Sequence, residues 1–222
     1  MLFPIGDDNI KGGHYPLFSY GLIAVNVLIF IWQMNQGAYA EEFVYTFGAV
    51  PSEIVHGQDW YALFTSLFLH GGWAHIVGNM VFLWIFADNI EATIGNGRFL
   101  LFYLLAGLIA HAAHIFFNID SVIPTIGASG AISGVMGAYM VLFPSSRVRV
   151  LFFIFPFYVP AILFLGFWIY FQFQSGLGEL QAAPGESGGV AYWAHIGGFV
   201  FGVLAGFYYR RVRRGWSSEV AE

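Results

Sequence analysis

The chain has 222 residues, of which 58% are hydrophobic and 9% charged, and its net charge is -5. Soluble domains carry about 25% charged residues, so this chain cannot solvate a surface of its own and belongs to the membrane class. It has no cysteine, which excludes disulfides and thiolate metal or nucleophile sites, and its few basic residues form no nucleic-acid-binding patch.

Residues 1–15 hold Asp7, Asp8 and one fixed cation, Lys11, and match neither a secretory signal nor an arginine-rich transit peptide. A spanning helix needs about 20 mostly apolar residues, and six segments qualify. The first is 16–34. A long connection, 35–72, carries Glu41, Glu42, Glu53 and Asp59 but also Phe43, Tyr45, Phe47, Trp60, Tyr61 and Phe64. It is amphipathic, with enough apolar surface to lie in the headgroup region, and 60–69 is expected to form a helix lying half in the bilayer. The second and third segments are 73–87 and 99–117, and the fourth, 127–143, is short and glycine-rich. The fifth is 148–173. A flexible connection, 174–189, follows, with Gly176, Gly178, Pro184 and Gly185. The sixth, 190–209, runs into Arg210, Arg211, Arg213 and Arg214.

The predicted fold class is an all-α membrane protein, a polytopic bundle of six transmembrane helices forming one domain over 1–222. Its N-terminal segment, 1–15, and basic tail, 210–222, would be short and cytoplasmic. If six helices alternate, one side receives Lys11, Arg98, Arg147, Arg149 and the four terminal arginines, which is every Lys and Arg of the chain. The positive-inside rule then makes both termini cytoplasmic and the long amphipathic first loop external.

Polar side chains within apolar runs are costly and usually face a bundle interior or a water-filled cavity. Here they are Asn26, His75, Asn79, His111, His114, Ser129, Ser133 and His195. Helices two, four and six all enter from the external side, which puts His75, Asn79, Ser129 and His195 in one layer to within about a turn. Ser129 sits among Gly127, Gly130, Gly134 and Gly137, while Ala194, Gly198, Gly202 and Gly206 make a small-residue face on helix six. Such faces let helix backbones approach closely in a bilayer, and packing them together would set His195 beside Ser129. A serine hydroxyl becomes a nucleophile when a neighbouring base takes its proton. The oxyanion it creates needs donors already in place, which His75, Asn79 and the Ser129 N–H could supply. Gly127-Ala128-Ser129-Gly130 is not the nucleophile elbow of soluble hydrolases, because Ala131 stands where that motif needs glycine.

Three motifs carry a family likeness. They are Gly-x-Ser-Gly at Gly127 to Gly130, His70 with His75 and Asn79, and Ala-His-x2-Gly-x3-Gly at Ala194, His195, Gly198 and Gly202; Glu91, Gly95 and Arg98 form a fourth resemblance after helix two. With these the chain resembles the rhomboid family of intramembrane serine proteases over nearly its whole length. The resemblance implies a Ser129 nucleophile and His195 base without a third carboxylate. It also implies an oxyanion hole of His75, Asn79 and the Ser129 N–H, and His70 bracing the loop before helix two, with Gly127, Gly130 and Gly198 as supporting positions. It further implies single-span or polytopic membrane proteins as substrates; no cofactor, no metal and no nucleic acid are expected, and the expected location is a lipid bilayer, the prokaryotic inner membrane. Two positions depart from the pattern: Ser133 stands where an aromatic often supports the histidine, and the first loop lacks a Trp-Arg pair. Orientation of His195 is then expected from packing alone. The segment 174–189 with helix five is the expected gate. His111 and His114 read as histidines at a water-exposed helix end rather than metal ligands, and Asn26 as an interhelical hydrogen bond. Two other readings are an inactive relative that binds membrane proteins, and a small transporter.

Overall fold

A computed structural model describes residues 2–8, 15–181 and 189–219. Lys11, His14 and 182–188 of the expected gate lie outside the described residues. The fold is mostly helical: α1 (Leu17–Met34), α2 (Ala40–Phe47), α3 (Pro51–Val55), α4 (Ala62–Thr65), α5 (Trp73–Ile94), α6 (Asn96–Phe117), α7 (Ser129–Leu142), α8 (Ala161–Gln181) and α9 (Tyr192–Glu219). Among the described residues α1, α6 and α8 are long and apolar enough to cross a membrane, and α7 is a shorter apolar helix. Gly95, with φ 86°, separates α5 from α6 at a backbone angle that would strain a side chain.

The centre of the bundle is α7, with eleven of its fourteen residues buried. It packs on α9 backbone to backbone. A Cβ built on Gly198 would lie 2.1 Å from the Gly130 carbonyl oxygen, and one on Gly202 would lie 1.9 Å from that of Gly134. On its other side α7 meets Ala106 and Ala110 of α6. Large side chains fill the remainder of the core, among them Phe86, Phe99, Tyr103, Met136 and Tyr139. Glu91, fully buried on α5, accepts hydrogen bonds from the Phe18 and Ser19 N–H groups and the Ser19 hydroxyl at 2.6–2.8 Å. Its carboxylate thus occupies the electropositive N-terminus of α1 and satisfies donors that a helix start leaves open.

The expected fifth helix is corrected in its first half, and the chain is not purely helical. Residues 147–160 form a hairpin of β2 (Arg147–Phe152) and β3 (Phe155–Pro160), and α8 begins only after Pro160. The N-terminal strand β1 (Leu2–Gly6) pairs antiparallel with β2, giving sheet order β1-β2-β3. Val148 and Val150 are buried while Arg147 and Arg149 face outward, an alternation of period two that belongs to a strand. The turn residues Phe153 and Ile154 are among the most exposed apolar side chains of the chain.

At that end of the bundle Asp7 accepts hydrogen bonds from Asn89 Nδ2 at 2.7 Å and from the Tyr139 hydroxyl, which is also 3.0 Å from Ser146 Oγ. Asp8 pairs with Arg147 at 2.9 Å on the surface, which holds the Asp8 carboxyl below the usual range. The N-terminal segment is therefore tied to the ends of α5 and α7.

The long first connection folds at the opposite end. In place of one helix over 60–69 it forms α4 and a 3-10 turn, Ser66–Phe68. Trp60, Tyr61 and Phe64 are exposed, while Ala62, Leu67 and Leu69 are buried. Ala49 pairs with Thr125, and the Gly127 N–H donates to Ser66 O at 2.8 Å. The non-helical chain leading into α7 is thus pinned by main-chain bonds to the loop.

Candidate active site

Ser129 is the first residue of α7 and is partly exposed. At about 1.5 Å per residue α7 is about 21 Å long, short of the roughly 30 Å hydrocarbon thickness. His195 lies in the first turn of α9, and its Nε2 is 2.8 Å from Ser129 Oγ. The glycine contacts of α7 with α9 make that approach possible, since side chains there would hold the two helices apart.

His75 and Asn79 lie four residues apart on α5 and face the chain just before Ser129. A Cβ on Gly127 would be 2.7 Å from His75 Nε2 and 3.6 Å from Asn79 Nδ2, and Gly127 has φ 121°. Space and backbone conformation both demand glycine there. His75 Nδ1 accepts the Gly71 N–H at 3.2 Å; that leaves the ring proton on Nε2, which points toward Gly127 as a donor. Asn79 Nδ2 is buried with no hydrogen-bond partner among the described residues. An unpartnered buried donor is unfavourable by about 1–3 kcal/mol and calls for a ligand. The N–H of Ser129, in the first turn of a helix, has no intrahelical acceptor.

These groups line one cavity of about 860 Å³, which also receives His111, His114, Trp168, Gln172 and Glu179. His70 does not line it. His70 is fully buried, and Gln33 of α1 clasps its backbone, accepting the His70 N–H at 3.1 Å and donating to its carbonyl at 2.8 Å. Its ring lies edge-on to Phe30 and next to His75, with centroids 6.4 and 5.1 Å away. Gly130 and Gly198 sit at the α7–α9 contact beside the site.

Several expectations change. His195 is held by more than packing: its Nδ1 is 2.8 Å from Gln172 Oε1 on α8, and the Trp168 ring lies 5.8 Å away at 39°. Ser133 is fully buried and spends its hydroxyl on Ser129 O at 2.6 Å, one turn back on its own helix. Glu179, about two turns beyond Gln172 on α8, also lines the cavity. His111 and His114 are buried rather than water-exposed, and His111 Nε2 bonds Ser66 Oγ at 2.9 Å. Asn26 bonds Leu22 O within α1 instead of reaching another helix. Gln33 and Gln172 escaped the sequence reading because each stands near the end of an apolar run, where a polar residue passes for a helix boundary. The usable signal for Gln172 was its position four residues after Trp168, on the same helix face.

Residues 57–212 match the family model described as Rhomboid domain. The chain is 38% identical over 133 residues to Rhomboid protease GluP of Bacillus subtilis, covering 60% of this chain and 26% of that protein. It is 28% identical over 194 residues to the mitochondrial Rhomboid protein 1 of Saccharomyces cerevisiae, covering 85% and 52%. It is 29% identical over 194 residues to the human mitochondrial Presenilin-associated rhomboid-like protein, covering 82% and 46%. The chain thus spans from about a quarter to about half the length of these relatives. With a domain match over most of its length and helices able to cross a bilayer, the chain is an integral, multi-pass membrane protein of the rhomboid family.

Proposed function

We propose that the protein is an intramembrane serine endopeptidase that cuts transmembrane segments of membrane proteins near their external end. The observation that carries this reading is the 2.8 Å contact of Ser129 Oγ with His195 Nε2 inside a cavity lined also by Asn79, whose Nδ2 has no hydrogen-bond partner among the described residues. Ser129 Oγ attacks the scissile carbonyl carbon as His195 Nε2 takes its proton. The resulting oxyanion is met by His75 Nε2–H, Asn79 Nδ2–H and the Ser129 N–H. Collapse breaks the C–N bond, and His195 returns the proton to the leaving amine. Water, activated by the same imidazole, then releases the acyl group from Ser129.

Six membrane-crossing helices, α1 and α5 to α9, with both termini cytoplasmic in the prokaryotic inner membrane, complete the proposal. Its support is the placement of charge. Asp7 touches Asn89 and Tyr139, and β1 pairs with β2, so the N-terminal segment shares one end of the bundle with Arg147 and Arg149. The cavity, α2, α3 and α4 lie at the other end, where the described residues hold no Lys or Arg. Relatives named as rhomboid protease and putative rhomboid protease support the protease reading by analogy.

The test is Ser129→Ala in proteoliposomes with a reporter transmembrane substrate. Cleavage should stop while thermal unfolding is unchanged, and a fluorophosphonate should label the parent but not this variant. Cleavage by the variant at the parental rate overturns the assignment.

A further inference from the structure

We infer that Gln172 is a positioning residue that fixes the tautomer of His195. The inference rests on the reading of Ser129 and His195 as nucleophile and base. A serine–imidazole pair works in one tautomer: the nitrogen facing the hydroxyl must carry the lone pair, so the proton must sit on the other nitrogen and be accepted there. His195 Nε2 faces Ser129 Oγ at 2.8 Å, and Nδ1 faces Gln172 Oε1 at 2.8 Å. Read along the chain of bonds, the Ser129 hydroxyl donates to Nε2, and Nδ1–H donates to the amide oxygen. Without an acceptor at Nδ1, the Nε2–H tautomer would be equally open to the ring, and it cannot take a proton from serine.

The geometry of α8 makes this role specific. Trp168, one turn before Gln172, lies tilted beside the same imidazole, so one helix both flanks the ring and meets its nitrogen. Ser133, closer in sequence to the nucleophile, donates to its own helix, and the partner that meets His195 Nδ1 is Gln172. The other titratable groups around the cavity are His75 on α5, His111 and His114 on α6 and Glu179 on α8. Of these His111 bonds Ser66, His114 lies beside Asn118 and His75 accepts from Gly71. Gln172 therefore fixes the tautomer of His195 as a carboxylate does in a triad, but as a neutral acceptor, which adds no charge to a site enclosed by the bilayer.

The test uses the full chain in proteoliposomes, with Gln172→Met, which keeps the length and removes the acceptor, and Gln172→Glu, which keeps the acceptor and adds charge. The Met variant should lose about 10- to 100-fold in kcat, by analogy with the loss caused by removing the hydrogen-bond partner of a metal-ligating histidine, with KM unchanged. The Glu variant should retain activity, and its acid limb should move to higher pH by about one unit, because a carboxylate beside Nδ1 favours the imidazolium. Parental kcat and pH profile in the Met variant, or loss of activity in both variants, overturns the inference. If the Met variant does not fold, an unmoved acid limb in the Glu variant overturns it alone. Fluorophosphonate labelling of the parent at Ser129 separates the two readings: an unlabelled, inactive parent defeats the dyad, whereas a labelled, active parent with an unaffected Met variant defeats Gln172 only.

Discussion

Gly202→Ala adds one methyl group where the structure has no room for it. The new Cβ would lie 1.9 Å from the Gly134 carbonyl oxygen, 2.7 Å from its carbon and 2.9 Å from its Cα. All three are backbone atoms of α7, so no side-chain rotation relieves the clash. Ordinary contact begins near 3.4 Å, so the two helices must part by about 1.5 Å in an interior packed like a molecular crystal. Overpacking of this kind is destabilising by about 1–3 kcal/mol, and an all-backbone clash belongs at the upper end. The displacement also reaches the site. Gly202 is two turns from His195, about 10 Å along the same helix, and a stretch of about 1 Å in the His195–Ser129 contact lowers the rate roughly 100-fold. Cleavage in proteoliposomes and thermal unfolding should therefore fall together. Gly166→Ala on α8, where a Cβ meets nothing within 4 Å, serves as the control and should be neutral. If Gly202→Ala is as stable and active as the parent, α7 and α9 do not owe their approach to these glycines.

Glu91→Ala strands the Phe18 and Ser19 N–H groups at the start of α1 and should destabilise the protein by about 3 kcal/mol, read as earlier thermal unfolding in detergent; an unchanged midpoint refutes the capping role. Burial, with Asp88 and Asp8 nearby, raises Asp7 to about 7 against an ordinary 3.8, opposed by its bonds to Tyr139 and Asn89. A raised carboxyl binds its proton more tightly when folded, so its stabilising contribution is complete below about pH 4 and is lost as pH rises through about 7. Amide exchange in β1, corrected for intrinsic rates, should show more protection at about pH 6 than at about pH 8, and Asp7→Asn should remove the difference. Equal protection at both values in the parent refutes it.

The helices and the pairing of Ser129 with His195 were legible because the chain is so apolar that each internal polar residue stands out. The glycines at Gly198 and Gly202 recur every four residues, and that spacing alone puts them on one face. The hairpin was missed for the complementary reason. A mostly apolar run from 148 to 173 satisfies the length of a spanning helix, and length outweighed the alternation of Arg147, Val148, Arg149 and Val150. Pro156 and Pro160 marked the break, since neither belongs inside a helix. The role of Asp7 could not be read either, because its partners Asn89 and Tyr139 are distant in sequence and become neighbours only when β1 pairs with β2. Clasps such as that of Gln33 on His70 likewise depend on which helix lies alongside.

The three-stranded sheet has two open edges, β1 and β3, and an open edge is a template on which another chain can add a strand. Pro4 stands in β1, and Pro156 and Pro160 in β3, whereas β2, paired on both sides, has none. Proline lacks the N–H that a further strand would use, so both borders are poor at accepting one. In a crowded membrane, where copies of the chain meet side by side, these three prolines oppose edge-to-edge association of their sheets.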